Sequence, residues 1–199
     1  MLHAALSAIE QELAMLNQLD AATGDGDHGT AILAAMKAAS SASQKDGSLK
    51  ETLEKIGWDI MSNTSGSTSA LLGSFFIGMA GAVPAENLDC KQTAGLFEAG
   101  LVNMQTSSKA NVGDKTSMDA LVPAIEAMSA LKEQTTSLAD LFAAASDAAQ
   151  KGADSTKDLA AKFGRARNLG ERSRGHLDAG AVSTALIYKA YAETAKKQG

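Results

Sequence analysis

The chain has 199 residues, a net charge of -5, 45% hydrophobic and 4% aromatic residues, and a single cysteine. That length suits one domain over residues 1–199 that buries a real core without staples. An acidic chain with no long basic run is a poor match to a nucleic-acid backbone, and one Cys90 excludes an intrachain disulfide framework.

Ala makes up about a fifth of the chain, and only two prolines interrupt it. Ala has the highest helix propensity, and the favoured strand residues Val, Ile and Tyr are sparse. These counts point to an all-α protein of closely packed helices.

Helical periodicity recurs along the chain. Leu2, Leu6, Ile9, Leu13 and Leu16 mark a first helix at about 3–19. Its Glu10 and Glu12 do not fit a signal peptide. Further helices are predicted at about 29–43, 49–62, 68–82, 90–107 and 115–131. Pro123 removes one backbone donor and is a candidate bend in the sixth. A seventh helix is predicted at about 138–162, with a candidate break near Gly152, and the last at about 178–197. The most apolar stretch, Ala70 to Val83, is too short and too Gly-rich to span a bilayer. A cytoplasmic protein with no nucleic-acid or membrane partner is expected.

Eight helices leave seven connections. Those near 44–48, 83–89 and 132–137 are ordinary polar turns. The other four, Asp20 to Gly29, Asn63 to Ser69, Ala110 to Thr116 and Gly164 to Gly180, are rich in Gly, Asp, Ser or Arg. In an up-and-down bundle consecutive helices run antiparallel, so odd-numbered connections share one end. The unusual chemistry is thereby expected at one pole.

The first of these connections reads Asp20-Ala21-Ala22-Thr23-Gly24-Asp25-Gly26-Asp27-His28-Gly29. Glycines let such a loop aim several carboxylates at one point. Converging anions call for a cation, and hard oxygen ligands suit Mg²⁺ or Ca²⁺ better than Zn²⁺. The plainer reading is a solvated Asp-Gly turn with Asp27 capping the next helix. His28, at that helix start, is a candidate phosphate donor.

The second, Ser65-Gly66-Ser67-Thr68-Ser69-Ala70, opens a helix with small residues. Free N–H groups there attract phosphate oxygens, although such starts are also common caps. It is not a Walker A loop, because no Gly-Lys-Ser/Thr follows. The third, Val112-Gly113-Asp114-Lys115-Thr116-Ser117-Met118-Asp119, is followed by Val122, a candidate apolar wall for a ring. The fourth, Gly164 to Gly180, holds Arg165, Arg167, Arg172 and Arg174 in an otherwise acidic chain. Arg grips phosphate bidentately.

Taken together, in this order and spacing, these stretches resemble the signature motifs of the dihydroxyacetone kinase L subunit. The resemblance covers nearly the whole chain. It implies an eight-helix antiparallel up-and-down barrel with the nucleotide site at one end. It implies that Asp20, Asp25 and Asp27 bind two Mg²⁺ ions bridging the phosphates of ADP or ATP. His28, Gly29, Thr30 and Ala31 would line those phosphates, with Ser67 and Thr68 adding donors. Gly113 and Val122 would border the adenine. Arg165, Asp178, Ala179 and Gly180 would close over the nucleotide. Ala179 stands where the family usually has Pro, and Ser69 and Leu72 where Gly and an aromatic residue are common.

The resemblance also implies a division of labour. A phosphoryl group would pass from Mg-nucleotide to a ketose held covalently on a partner K subunit. In the phosphotransferase-system type, a phosphocarrier M subunit rephosphorylates the bound ADP. Arg172 and Arg174 are candidates for partner contact, and a homodimer is also compatible. Three other readings stay open: an ATP-dependent kinase subunit for another small ketose, a domain serving acyl-phosphate formation, and a helical regulatory module that retains nucleotide. His28 stands where the acyl-phosphate group favours Thr, which argues against the second.

Overall fold

The computed structural model describes residues 1–64 and 66–198. Ser65, in the second Ser/Gly-rich connection, lies outside the described residues, as does Gly199. The helices are α1 (Leu2–Gln11), α2 (Leu13–Ala21), α3 (His28–Ala42), α4 (Leu49–Asn63), α5 (Ser67–Gly81), α6 (Cys90–Ser107), α7 (Met118–Leu131), α8 (Leu138–Ser155) and α9 (Ala179–Gln198). Among the described residues there is no strand, and no helix is long and apolar enough to cross a membrane.

Three elements differ from the sequence expectation; one is the sixth predicted helix, which begins at Met118 rather than near 115, since Lys115 has a φ of +60°. The first helix is split at Glu12, whose φ of -100° and ψ of 11° leave the helical region. Its apolar repeat runs straight through the break, with Ile9 and Leu16 both fully buried. The kink therefore turns α2 without releasing its apolar face. The seventh helix stops at Ser155 rather than near 162, and a 3-10 turn, Thr156–Asp158, finishes it. Gly152 is inside α8 and does not break it.

Each helix packs on the next in chain order, and α1 and α2 both return to α3 and α9, so the packing closes into a cycle. Neighbours run in opposite directions where side chains report it. Gly57 of α4 meets Ile77 of α5, while Met61 meets Gly73. The Ser74 hydroxyl donates to the Asn103 carbonyl, and Met79 lies against Gly100. Lys91 pairs with Glu133, and Ser129 with Glu98 one turn further on. Polar side chains start three of these helices: Ser48 and Asp89 form reciprocal caps with Glu51 and Gln92, and Ser137 accepts from the Asp140 N–H.

The scarce aromatic residues gather inside this cycle. Phe97 packs edge-on against Phe75 and Phe142, and Phe142 against Tyr191, with ring centres 5.7–5.9 Å apart. Rings from α5, α6, α8 and α9 thus meet in one cluster, and Ala lets the surrounding helices close around it.

Pro123 lies inside α7 and the helix continues through it. Having no N–H, it leaves the Asp119 carbonyl without its usual intrahelical donor. α8 comes closest to that carbonyl at Gly152, where an added Cβ would stand only 1.9 Å from the Asp119 oxygen. Gly152→Ala is therefore expected to destabilise the fold by about 2–3 kcal/mol or more. An added Cβ at Gly95 in α6 meets nothing within 4 Å. Gly95→Ala should then gain about 0.5–1 kcal/mol of helix stability. Urea denaturation of the two variants checks the contrast.

Candidate functional site

The α2–α3 connection is built around Asp20, on the last turn of α2. Its Oδ2 accepts the backbone N–H groups of Asp27 at 2.9 Å and His28 at 3.3 Å. The carboxylate of Asp20, not that of Asp27, thus caps α3; the Asp27 side chain makes no cap bond. Gly24 admits this arrangement, since a Cβ there would sit 2.5 Å from Asp20 Oδ1. Gly26 turns the chain with a φ of +78°.

The result is a carboxylate cluster. One oxygen each from Asp20, Asp25 and Asp27 lie within 4.8 Å of one another. Asp20 is half-buried and the other two are exposed. Arg165, from the α8–α9 connection, forms an ion pair with Asp25. All-oxygen donors converging from one loop end fit a hard divalent cation.

The first turn of α3 is fixed from both sides. Asn17 accepts the Thr30 N–H at 3.1 Å and donates to the Thr30 hydroxyl at 3.2 Å. Ala31 N–H donates to the Asp27 carbonyl. Gly29 is buried against α2, where a Cβ would meet the Leu13 carbonyl oxygen at 2.6 Å. His28 Nε2 lies 2.9 Å from the Ser183 hydroxyl, which itself donates to the Gly180 carbonyl. That leaves the ring nitrogen as the donor to Ser183. Burial pushes the His28 imidazolium below its usual range, against the pull of Asp20 and Asp27.

Three of the four unusual connections are tied together. Besides Arg165–Asp25, Lys162 bonds Asp114 at 2.7 Å, and the Lys162 N–H donates to the Asp114 carbonyl. Asp119, fully buried in the first turn of α7, accepts the Gly113 N–H at 2.6 Å and the Thr116 N–H at 2.7 Å. Gly113 has a φ of +93°, and Val122 packs half-buried on the core one turn beyond Asp119. Asp178 caps α9 by accepting the Ala181 N–H at 2.8 Å, and its own N–H donates to the Thr156 hydroxyl. Ala179 is buried, and Gly180 lies against Ser117. Ser67 and Thr68 occupy the first turn of α5, behind Gly66. No hydrogen bond or ion pair among the described residues joins those two to the carboxylates. Arg174 is tied down, to Glu171 at 2.6 Å and to the Asp158 carbonyl, whereas Arg172 is exposed.

Sequence reasoning missed several members of this network. Lys115 is 2% exposed and donates through Nζ to the carbonyls of Thr156 and His176. Thr156, Ser183, Asn17 and Asp119 were not singled out either. Asn17 precedes Asp20 by three residues and so shares its helix face, a signal that was available. A lysine in a Gly-Asp loop gives no sign that it is buried.

Asp178 carries the largest electrostatic cost among these carboxylates. Burial, with the anions of Asp119 and Asp20 nearby, pushes its carboxyl up to about 6, despite the Ala181 hydrogen bond and Lys115. Its unfolded value is about 3.9. The native state therefore holds the proton more tightly. Stability is greatest below about pH 4 as far as this group is concerned, and falls as pH rises towards 6. Asp178→Asn keeps the cap acceptor and loses the charge. It is expected to flatten the pH 4–6 slope and to gain about 1–3 kcal/mol at pH 7 in the ligand-free protein. Urea melts at intervals across that range read this directly; an unchanged slope would refute it.

A closed cycle of helices with a carboxylate cluster and an opposing arginine at its connections defines an all-helical class of domain. Comparison with known proteins makes that class specific. The DAK2 domain model matches residues 22–193. A Listeria innocua protein, PEP-dependent dihydroxyacetone kinase 1, ADP-binding subunit DhaL, is 32% identical over 94% of this chain and 89% of its own. The Escherichia coli PEP-dependent dihydroxyacetone kinase ADP-binding subunit is 35% identical over 92% of this chain and 88% of its own. The crystal structure of the C. freundii dihydroxyacetone kinase with AMP-PNP and Mg²⁺ superposes with a TM-score of 0.75 at 27% identity. That match covers 97% of this chain but only 33% of the larger one. The chain belongs to the DAK2-domain family, and within it to the dihydroxyacetone kinase L-subunit type, a phosphotransferase subunit.

Proposed function

We propose that the chain is the nucleotide-carrying subunit of a dihydroxyacetone-type kinase, holding ADP or ATP and serving a ketose bound on a partner K subunit. The observation that carries this reading is the set of three carboxylate oxygens within 4.8 Å, faced by Arg165. A nucleotide polyphosphate and a carboxylate cluster repel unless cations stand between them. Asp20, Asp25 and Asp27 would hold two Mg²⁺ ions, which neutralise phosphate charge during phosphoryl transfer.

The rest of the pole then has definite tasks. The N-terminus of α3 at His28, Gly29, Thr30 and Ala31 would receive phosphate oxygens through backbone donors and the helix dipole. His28 would be held in place by its Nε2 hydrogen bond to Ser183. Ser67 and Thr68 would add donors from the start of α5. Gly113 and Val122 would border the adenine, and Asp178, Ala179 and Gly180 would form the opposite edge. Arg165 would exchange its partner, Asp25, for a phosphate oxygen as nucleotide enters.

The names of the Listeria innocua and Escherichia coli relatives, which specify PEP dependence and ADP binding, favour rephosphorylation of bound ADP by a phosphocarrier M subunit. Of the three histidines, His3 is at the start of α1, and His28 and His176 lie within the nucleotide-site connections. None lies in a pocket apart from the nucleotide-site connections, which supports placing the ketose on another chain.

Asp25→Ala and Asp27→Ala are each expected to weaken Mg-ADP binding at least tenfold while the helical circular dichroism stays unchanged. Calorimetric titration checks this, and wild-type affinity in both variants would remove the metal-site reading. The purified chain with ATP, Mg²⁺ and dihydroxyacetone should show no turnover until a K subunit is added. Arg165→Ala should bind Mn²⁺ more tightly than wild type without nucleotide, because a competing cation is gone. The same variant should bind Mg-ADP more weakly. Paramagnetic resonance of free Mn²⁺ separates the two effects.

A further inference from the structure

We propose that Lys115 is a positioning residue of this site: its buried ammonium fastens the turn before α9 to the end of α8 and thereby sets Asp178 to Gly180 beside the carboxylate loop. The proposal rests on the nucleotide-site reading above.

Several observations single out Lys115. It is the largest among the fully buried side chains, yet among the described residues no carboxylate forms an ion pair with its ammonium. Its two acceptors are backbone carbonyls from separate segments, Thr156 in the turn after α8 and His176 in the approach to α9. The two segments are also joined by Gly175 N–H to the Lys157 carbonyl and Asp178 N–H to the Thr156 hydroxyl. Arg174 adds a bond to the Asp158 carbonyl, and among the described residues Lys115 is the member of this seam that begins in the α6–α7 connection. Its own backbone has a φ of +60°, and it is the one non-glycine residue with positive φ among those described. Such a conformation in an L-residue persists only where its surroundings enforce it.

Burial of an ammonium opposes folding, and an apolar side chain of similar volume would fill the same space more favourably. A seam needed for stability alone has no use for the charge. The charge does have neighbours. Asp178, Asp119 and Asp158 attract Lys115, and Arg174 repels it. Asp178 in turn feels Asp119, Lys115 and Asp20. Lys115 is thus the cation that offsets Asp119 and Asp178 on the inner side of the pole, while Arg165 meets Asp25 on the outer side. Asp119 holds Gly113 and Thr116 on either side of Lys115. Displacing the ammonium would free the Asp178–Gly180 turn and the Gly113 turn together.

Lys115→Met, Lys115→Gln and Lys115→Arg test this in the full chain. Two quantities are read: Mg-ADP affinity by calorimetry, and the titration midpoint of the Asp178 carboxyl by carbon-13 resonance in the ligand-free protein. Lys115→Met is expected to bind Mg-ADP at least tenfold more weakly and to raise the Asp178 midpoint above its wild-type value. Lys115→Arg, which keeps the charge and the donors, is expected to restore both in part. Wild-type affinity in Lys115→Met overturns the proposal. So does a loss of affinity with an unmoved Asp178 midpoint, which marks a purely structural lysine. If Lys115→Met does not fold, Lys115→Gln, whose amide still donates to one carbonyl, is measured in its place. Failure of both to fold assigns Lys115 to the global fold and overturns the proposal. Absence of Mg-ADP binding by the wild type would sink the nucleotide reading instead, and the Asp178 midpoint would still judge Lys115.

Discussion

Like charges brought together without a counter-ion are the constraint around which this pole is arranged. Asp20, Asp25 and Asp27 converge within 4.8 Å, and Asp178 and Asp119 stand behind them. In water such anions separate; here Gly24, Gly26 and the α3 cap hold them in place. Four of these five anions are answered locally, by three kinds of device. Asp20 is bonded by two backbone N–H groups, Asp119 by two more, Asp25 by Arg165, and Asp178 by the Ala181 N–H and the field of Lys115. Backbone donors are fixed dipoles that need no reorganisation when a ligand arrives, whereas an exposed arginine can change partners. The deep anions are thus held permanently and the outermost one provisionally.

This distribution draws on segments far apart in the chain. The cycle of helices sets α2, α3, α7, α8 and α9 as neighbours, and their capped ends supply the donors. A helix start is useful to an anion only if its N–H groups are directed at it, and rigid packing of the helix body provides that direction. The Ala-rich faces matter for the same reason. Small residues let α3 approach α2 at Gly29 and α8 approach α7 at Gly152, which brings the ends of those helices close together.

Much of the architecture was legible in the sequence because it rests on periodicity. Helices with clear apolar spacing, such as α4 and α6, fall within a residue of expectation. The Glu12 break was not legible, since the pattern from Leu2 to Leu16 continues across it in phase and a kink leaves no mark on such a pattern. The early end of α8 was hidden for a different reason: Thr156 ends the helix through tertiary bonds with Asp178 and Lys115, which are remote in sequence. The carboxylate loop could be read because its residues are adjacent in the chain. The cap on α3 was not legible, because a residue seven positions before Asp27 supplies the acceptor. Lys115 was the deepest omission. A lysine in a polar loop reads as solvated, and only long-range contacts reveal the burial.

Asp119 shows how core and site become one object. Its carbonyl, released from the helix ladder by Pro123, meets α8 at Gly152; its carboxylate gathers Gly113 and Thr116. The same residue therefore fixes the spacing of α7 from α8 and the shape of the loop that would border the nucleotide. Moving α7 relative to α8 would move both groups at once. The loop at 113–116 is then as rigid as the helix pair beneath it, although it carries glycine and few apolar side chains. Arg165 is held differently: its connection between Gly164 and Gly170 has positive φ at both ends, and its guanidinium is exposed.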